Sequence, residues 1–228
     1  MSEFVSQSAE GYAIVEEEPP ELSARNLLSG AHLWASATAF FFIDFLFAYF
    51  YLRSLDNGGM WKPKHVDPSL TLGTLSTACV VASAVMVWMG LNDQRSGRRR
   101  EWRLKGAAAL ALLAAAIGLQ VAEWAAQGFG PTDGAYASVY VGWTALLFVF
   151  LIGTFYWLET VLATAIRYRN VPEGHHPPAG HASGDPHRWR HDIADPLALV
   201  EPQLAAVSFY SQFIAAIAVI SWIILYLA

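Results

Sequence analysis

Leu146-Leu147-Phe148-Val149-Phe150-Leu151-Ile152 is the stretch that decides the fold. It carries no polar stripe, whereas a helix on the surface of a soluble protein shows one at a period near 3.6 residues. Working outward, this apolar run extends over 136–166, and four others lie at 28–55, 70–91, 104–126 and 203–227. Each holds about 20 or more mostly apolar residues, enough to cross a hydrocarbon core about 30 Å thick. A backbone in lipid must satisfy its own hydrogen bonds, so each run predicts a helix. The chain therefore reads as an all-α integral membrane protein, a five-transmembrane-helix bundle over 28–228.

Residues 1–27 read as an acidic tail, with Glu3, Glu10, Glu16, Glu17, Glu18 and Glu21 ahead of the first span. Its first 21 residues lack the basic and apolar regions of a signal peptide. A formal net charge of −5 argues against nucleic acid as a partner. The single cysteine, Cys79, excludes an intrachain disulfide and reads as a small buried apolar residue.

Basic residues set the orientation. Arg25, Arg95, Arg98, Arg99, Arg100, Arg103, Lys105, Arg167, Arg169, Arg188 and Arg190 fall on one side of the five spans, against Arg53, Lys62 and Lys64 on the other. Positive charge stays inside. The N-terminus is expected in the cytoplasm and the C-terminus outside.

The long connection 170–202 holds Pro172, Pro177, Pro178, Pro186, Pro196 and Pro202, with His175, His176, His181, His187 and His191. Clustered histidine can bind metal. The spacing is irregular and no cysteine frames it, so the reading is a flexible cytoplasmic loop.

Polar residues at depth mark function in a membrane protein. Asp44, Glu123 and Glu159 are the carboxylates in the spans. At 1.5 Å per residue, Asp44 lies about 24 Å into the first span, just past its middle. Glu123 falls near the outer end of the third span and Glu159 near the inner surface. A charged acid at the bilayer centre costs about 2.5–3.5 kcal/mol to insert. Asp44 is therefore expected to be neutral or turned toward a partner. A structural hydrogen bond is favoured over a proton-related role. For Glu123 and Glu159 the reading is interfacial solvation or a helix–helix hydrogen bond. No histidine lies inside a span, His32 being at the inner end of the first, and no cluster of histidine and cysteine offers a copper site. The spans also lack proline. The chain alone is thus not expected to bind haem or copper, carry electrons or transport a solute. Its third span offers a packing face instead, with Ala107, Ala111 and Ala115 four apart.

Four segments carry a family resemblance. They are Ala48-Tyr49-Phe50-Tyr51-Leu52-Arg53, Thr74-Leu75-Ser76-Thr77 with Ser83, Gln120-Val121-Ala122-Glu123-Trp124, and Asp133-Gly134-Ala135-Tyr136-Ala137-Ser138. In this order and spacing the chain resembles subunit III of the haem–copper (cytochrome c) oxidases, in a divergent, short five-helix form. The motif positions are Tyr49, Arg53, Gln120, Glu123, Asp133, Gly134, Tyr136 and Ser138. The family's Ser-Glu pair aligns with Ala37 and Thr38, and Asp44 lies six residues on, about 120° around the helix. Its helix-four histidines align with Leu147 and Phe150, and its Tyr-Trp-His run with Tyr210, Ser211 and Gln212.

The resemblance implies a non-catalytic subunit of a respiratory oxidase in a bacterial cytoplasmic membrane. Haem and copper would sit in catalytic subunit I, with subunit II as a further partner. Phospholipid would lie in a groove between helices 1–2 and 3–5. An accessory protein found with bacterial nitric oxide reductases is the alternative, ahead of a small transporter or sensor using Asp44 and the histidine-rich loop.

Overall fold

A computed structural model describes residues 20–56, 58–59, 61–167 and 200–227. The described residues form five helices, each long and apolar enough to cross a membrane. They are α1 (Pro20–Ser54), α2 (Leu70–Arg95), α3 (Arg99–Ala126), α4 (Ala135–Arg167) and α5 (Val200–Trp222), the last closing in a π-helical turn, Ile223–Leu227. Residues 1–19 of the acidic tail and most of the histidine-rich loop, 170–199, lie outside the described residues.

The helices overrun the apolar stretches. Residues 20–27, read above as tail, continue α1. Proline suits a first helical turn because its missing N–H has no intrahelical role there. His32 is consequently well inside α1, with Nδ1 2.7 Å from the Leu28 carbonyl oxygen. In the same way α2 runs on through Asp93 to Arg95. Gly97, at φ +73°, then reverses the chain into α3 in the left-handed conformation that glycine adopts without strain.

Helices α2 and α3 form a hairpin whose register is read from small residues every seventh position. The Ser83 hydroxyl donates to the Ala109 carbonyl at 2.9 Å and the Ser76 hydroxyl to the Ala116 carbonyl at 3.2 Å. A Cβ on Gly90 would lie 3.6 Å from the Trp102 carbonyl oxygen, so the backbones run close there too. The packing face of α3 is Trp102, Gly106, Ala109, Leu113, Ala116, Gln120 and Glu123. Ala107, Ala111 and Ala115 are exposed instead. Four-residue spacing put them on one face, but spacing cannot say which of several alanine faces the neighbour takes.

Other helix pairs are joined by side-chain hydrogen bonds. Trp124 donates to Thr144 across α3–α4 at 3.1 Å, Trp143 to Ser221 across α4–α5 at 2.7 Å, and Trp222 to Thr74 across α5–α2 at 2.9 Å. Thr38 and Tyr210 pair across α1–α5 at 3.2 Å. Lipid tails are as apolar as leucine, so close packing and such bonds, rather than the hydrophobic effect, hold helices together. Among the described residues α2 packs along α3 and against α5, and α1 sits against α4 and α5, so helices 1–2 do not stand as a pair apart from helices 3–5. An apolar cavity of about 250 Å³ lies elsewhere, among α1, α4 and α5, lined by Phe42, Ile43, Leu46, Trp143, Ile217 and Ile220.

Candidate functional site

The motif residues converge at the end of the bundle where α1 finishes and α4 begins. Asp133 makes the turn. Its Oδ2 accepts from the Gly130 N–H at 2.6 Å, and its own N–H donates to the Gly130 carbonyl at 3.2 Å. Gly134 follows at φ +137°, a backbone that side-chain-bearing residues rarely adopt. The Ser138 hydroxyl then ties the first turn of α4 to the carbonyls of Pro131 and Gly134. This local chemistry aims Tyr136 inward. Its N–H takes the Trp61 carbonyl at 3.0 Å, and its hydroxyl donates to the Leu225 carbonyl in the π-helical turn. Trp61 stands edge-on to both Tyr136 and Tyr49, at 5.7 Å and 5.1 Å between centroids. One motif therefore gathers α1, the first connection, α4 and the end of the chain.

Two cations border this cluster. Arg53 Nη1 lies 3.4 Å from the Tyr49 hydroxyl, and Lys62 Nζ sits 4.8 Å over the Tyr136 ring and 3.0 Å from Asp67. With Tyr49, Trp61, Tyr136 and Tyr226 they line a cavity of about 300 Å³.

Behind it Glu123 is buried, at 1% exposure. Tyr226 donates its hydroxyl proton to Oε1 at 2.7 Å, and the Gln120 amide donates to Oε2 at 3.3 Å. A phenol has one proton to give. The 3.1 Å contact between Tyr226 and Tyr140 is therefore donated by Tyr140, and the chain Tyr140→Tyr226→Glu123 runs one way. Gly73 makes room for it, since a Cβ there would stand 2.6 Å from the Tyr226 hydroxyl oxygen. An adjoining cavity of about 20 Å³, bordered by Gln120, Thr144 and Ser221, has the size of one water.

The other carboxylates in the spans are placed differently. Asp44 is exposed on α1 and has no hydrogen bond or ion pair among the described residues. None of the described residues supplies a structural hydrogen bond to it, because its side of α1 faces away from α4 and α5. Glu159 is exposed on α4. The alignment positions Thr38 and Tyr210 meet. Thr38 is 1% exposed, and the two hydroxyls form a neutral pair between α1 and α5.

Sequence reasoning missed the partners. Tyr226 is 103 residues from Glu123, and nothing in its apolar surroundings marks it as a donor. Asp93 was also missed, since it falls two residues beyond the apolar run. It is 2% exposed, with Oδ1 2.6 Å from Arg98 Nη2 and Oδ2 against Lys105 Nζ. The basic cluster around the α2–α3 turn was the available signal.

Fold and site thus define a multi-pass helical membrane protein, its polar residues spent on joining helices. The family profile described as cytochrome c oxidase subunit III matches residues 21–184, from the start of α1 past the end of α4. The chain belongs to the cytochrome c oxidase subunit III family. Membership ties it to haem–copper oxidase complexes as a subunit III-like, non-catalytic component. A comparison with curated individual proteins returns no match.

Proposed function

We propose that the chain is a subunit of a respiratory haem–copper oxidase in a bacterial cytoplasmic membrane, stabilising catalytic subunit I alongside subunit II. Haem and copper belong to the partner. The observation that carries the reading is the use of the family motif. Asp133, Gly134, Tyr136 and Ser138 spend their chemistry on gathering helix ends, and Glu123 is consumed by internal donors. Such a chain offers a scaffold rather than a reaction centre. With the N-terminus in the cytoplasm, Arg53 and Lys62 face the outer leaflet. A phospholipid phosphate fits beside them, with an acyl chain in the apolar cavity beside Phe42 and Leu46, about two to three turns along α1 from Arg53.

Purification of the full chain from its own membranes in mild detergent tests this. The expected product contains a larger polytopic subunit and the optical spectrum of a haem–copper oxidase. A nitric oxide reductase spectrum would favour the alternative accessory role, and a haem-free product would overturn both. Expressed without partners, the chain is expected to give no Soret band. For orientation, a cysteine at Ser96 in a Cys79→Ser background should resist labelling from outside intact cells. Ready labelling would invert the topology.

A further inference from the structure

Helix α1 has two long faces, and the described residues pack against only one of them. Ala31, Ala35, Thr38, Phe42, Phe45 and Tyr49, alternately four and three apart, are buried or half-buried against α4 and α5. Two residues on, about 200° around the helix, Leu33, Ala37, Phe40, Asp44, Phe47 and Tyr51 repeat that spacing. All six are exposed. Phe40 and Phe47 are each 69% exposed, and Phe47 stacks on Tyr51 at 5.7 Å to form a rigid aromatic ridge. Alternating steps of three and four make the seam that pairs two helices.

Each seam carries one polar side chain near mid-depth. On the used face it is Thr38, met by Tyr210 of α5 at 3.2 Å. On the free face it is Asp44, which has no partner among the described residues. Its seam neighbours at three and four residues, Phe40 and Phe47, supply no donor. Lipid tails supply none either, and ionisable side chains inside a membrane pair with one another or with backbone carbonyls.

We propose that this outer seam of α1 docks a transmembrane helix of the partner subunit that carries an arginine or lysine at the depth of Asp44. Only the identity of the chain supplying that helix rests on the oxidase-subunit reading above. Charge complementarity selects the occupant. A second copy of this chain would bring two acids together at one depth, and like charges in a dry interface disfavour each other. A helix with only apolar side chains at that depth would leave the carboxyl unanswered, and a cation answers a carboxylate more strongly than a neutral hydroxyl or amide does.

The test uses the full chain in its own membranes. A photoreactive phenylalanine analogue at Phe40 or Phe47 should capture a helix of the haem-bearing subunit, with a basic residue within one turn of the site of attachment. The same probe at Tyr156, exposed on α4, serves as the control. Interhelical polar contacts in membranes bind modestly, so Asp44→Leu should lower the haem recovered with the chain by roughly threefold to twentyfold. The amount of the chain and its own unfolding temperature should not change. Asp44→Asn, which keeps an accepting oxygen, should lose less. Haem recovery unchanged in Asp44→Leu, capture of a second copy, or no capture in a haem-bearing preparation of the probe-carrying chain would overturn the seam alone. A wild-type preparation without haem would instead overturn the subunit reading.

Discussion

Glu123 and Asp44 are both carboxylic acids in membrane-spanning helices, and the fold treats them in opposite ways. Glu123 is buried beneath Tyr226 and Gln120, its two oxygens each accepting a bond. Asp44 projects from the free side of α1 among exposed phenylalanines. A buried acid answered from within is a joint between elements of one chain. An unanswered acid on the surface of a membrane bundle is half of a joint with something else. Both are carboxylic acids, and the direction of the side chain, inward or outward, decides which is answered within the chain.

The comparison can be broken at its buried side first. Glu123→Leu should cause the largest loss, because it strands two donors at once, the buried Gln120 amide and the half-buried Tyr226 hydroxyl. Each unpaired group costs about 1–3 kcal/mol, read as a lower unfolding midpoint of the purified chain in detergent. An unchanged midpoint would show that the Tyr226 contact carries no stability. Gly73→Leu should come next, since it drives a side chain into the space of the Tyr226 ring. Overpacking of this kind costs about 1–3 kcal/mol. Combined with Tyr226→Ala, the same substitution should recover part of that loss, and no recovery would break the assigned contact. Tyr226→Phe should be milder than Glu123→Leu, about 0.5–1.5 kcal/mol for each of the two hydrogen bonds its hydroxyl makes, to Glu123 and from Tyr140, because Gln120 still answers the carboxylate.

The smallest effect on the isolated chain belongs to Asp44→Leu. A surface substitution that removes no contact lies within about ±0.5 kcal/mol. In the bilayer it removes an acid from an apolar face, so any change should be a gain. A clear loss of stability in the isolated chain would mean that Asp44 is answered internally, and the contrast with Glu123 would disappear.

The motif at the start of α4 shows how far local reading reaches. Asp133-Gly134 makes a turn for reasons contained in five residues, and that much was legible. That the same turn presents Tyr136 to both Trp61 and the Leu225 carbonyl was not. Those partners lie 75 and 89 residues away, in a loop and an apolar run with no signature of their own. On α3 the legible pattern was small residues at four-residue spacing. The face taken by α2 was the neighbouring one through Ala109 and Ala116. Alanine-rich helices offer several equivalent faces, and the serines of α2 choose among them.

The sequence by itself determined the class. Five apolar runs of membrane length admit only helices, because a backbone in hydrocarbon must bond to itself. It also determined the segregation of basic residues to one side, and enough ordered motif to reach the family. Only the tertiary structure decided which polar residues are spent and which remain. Periodicity places a side chain on a face, but whether that face meets a hydroxyl, as Thr38 meets Tyr210, or none of the described residues, as at Asp44, depends on helices far away along the chain.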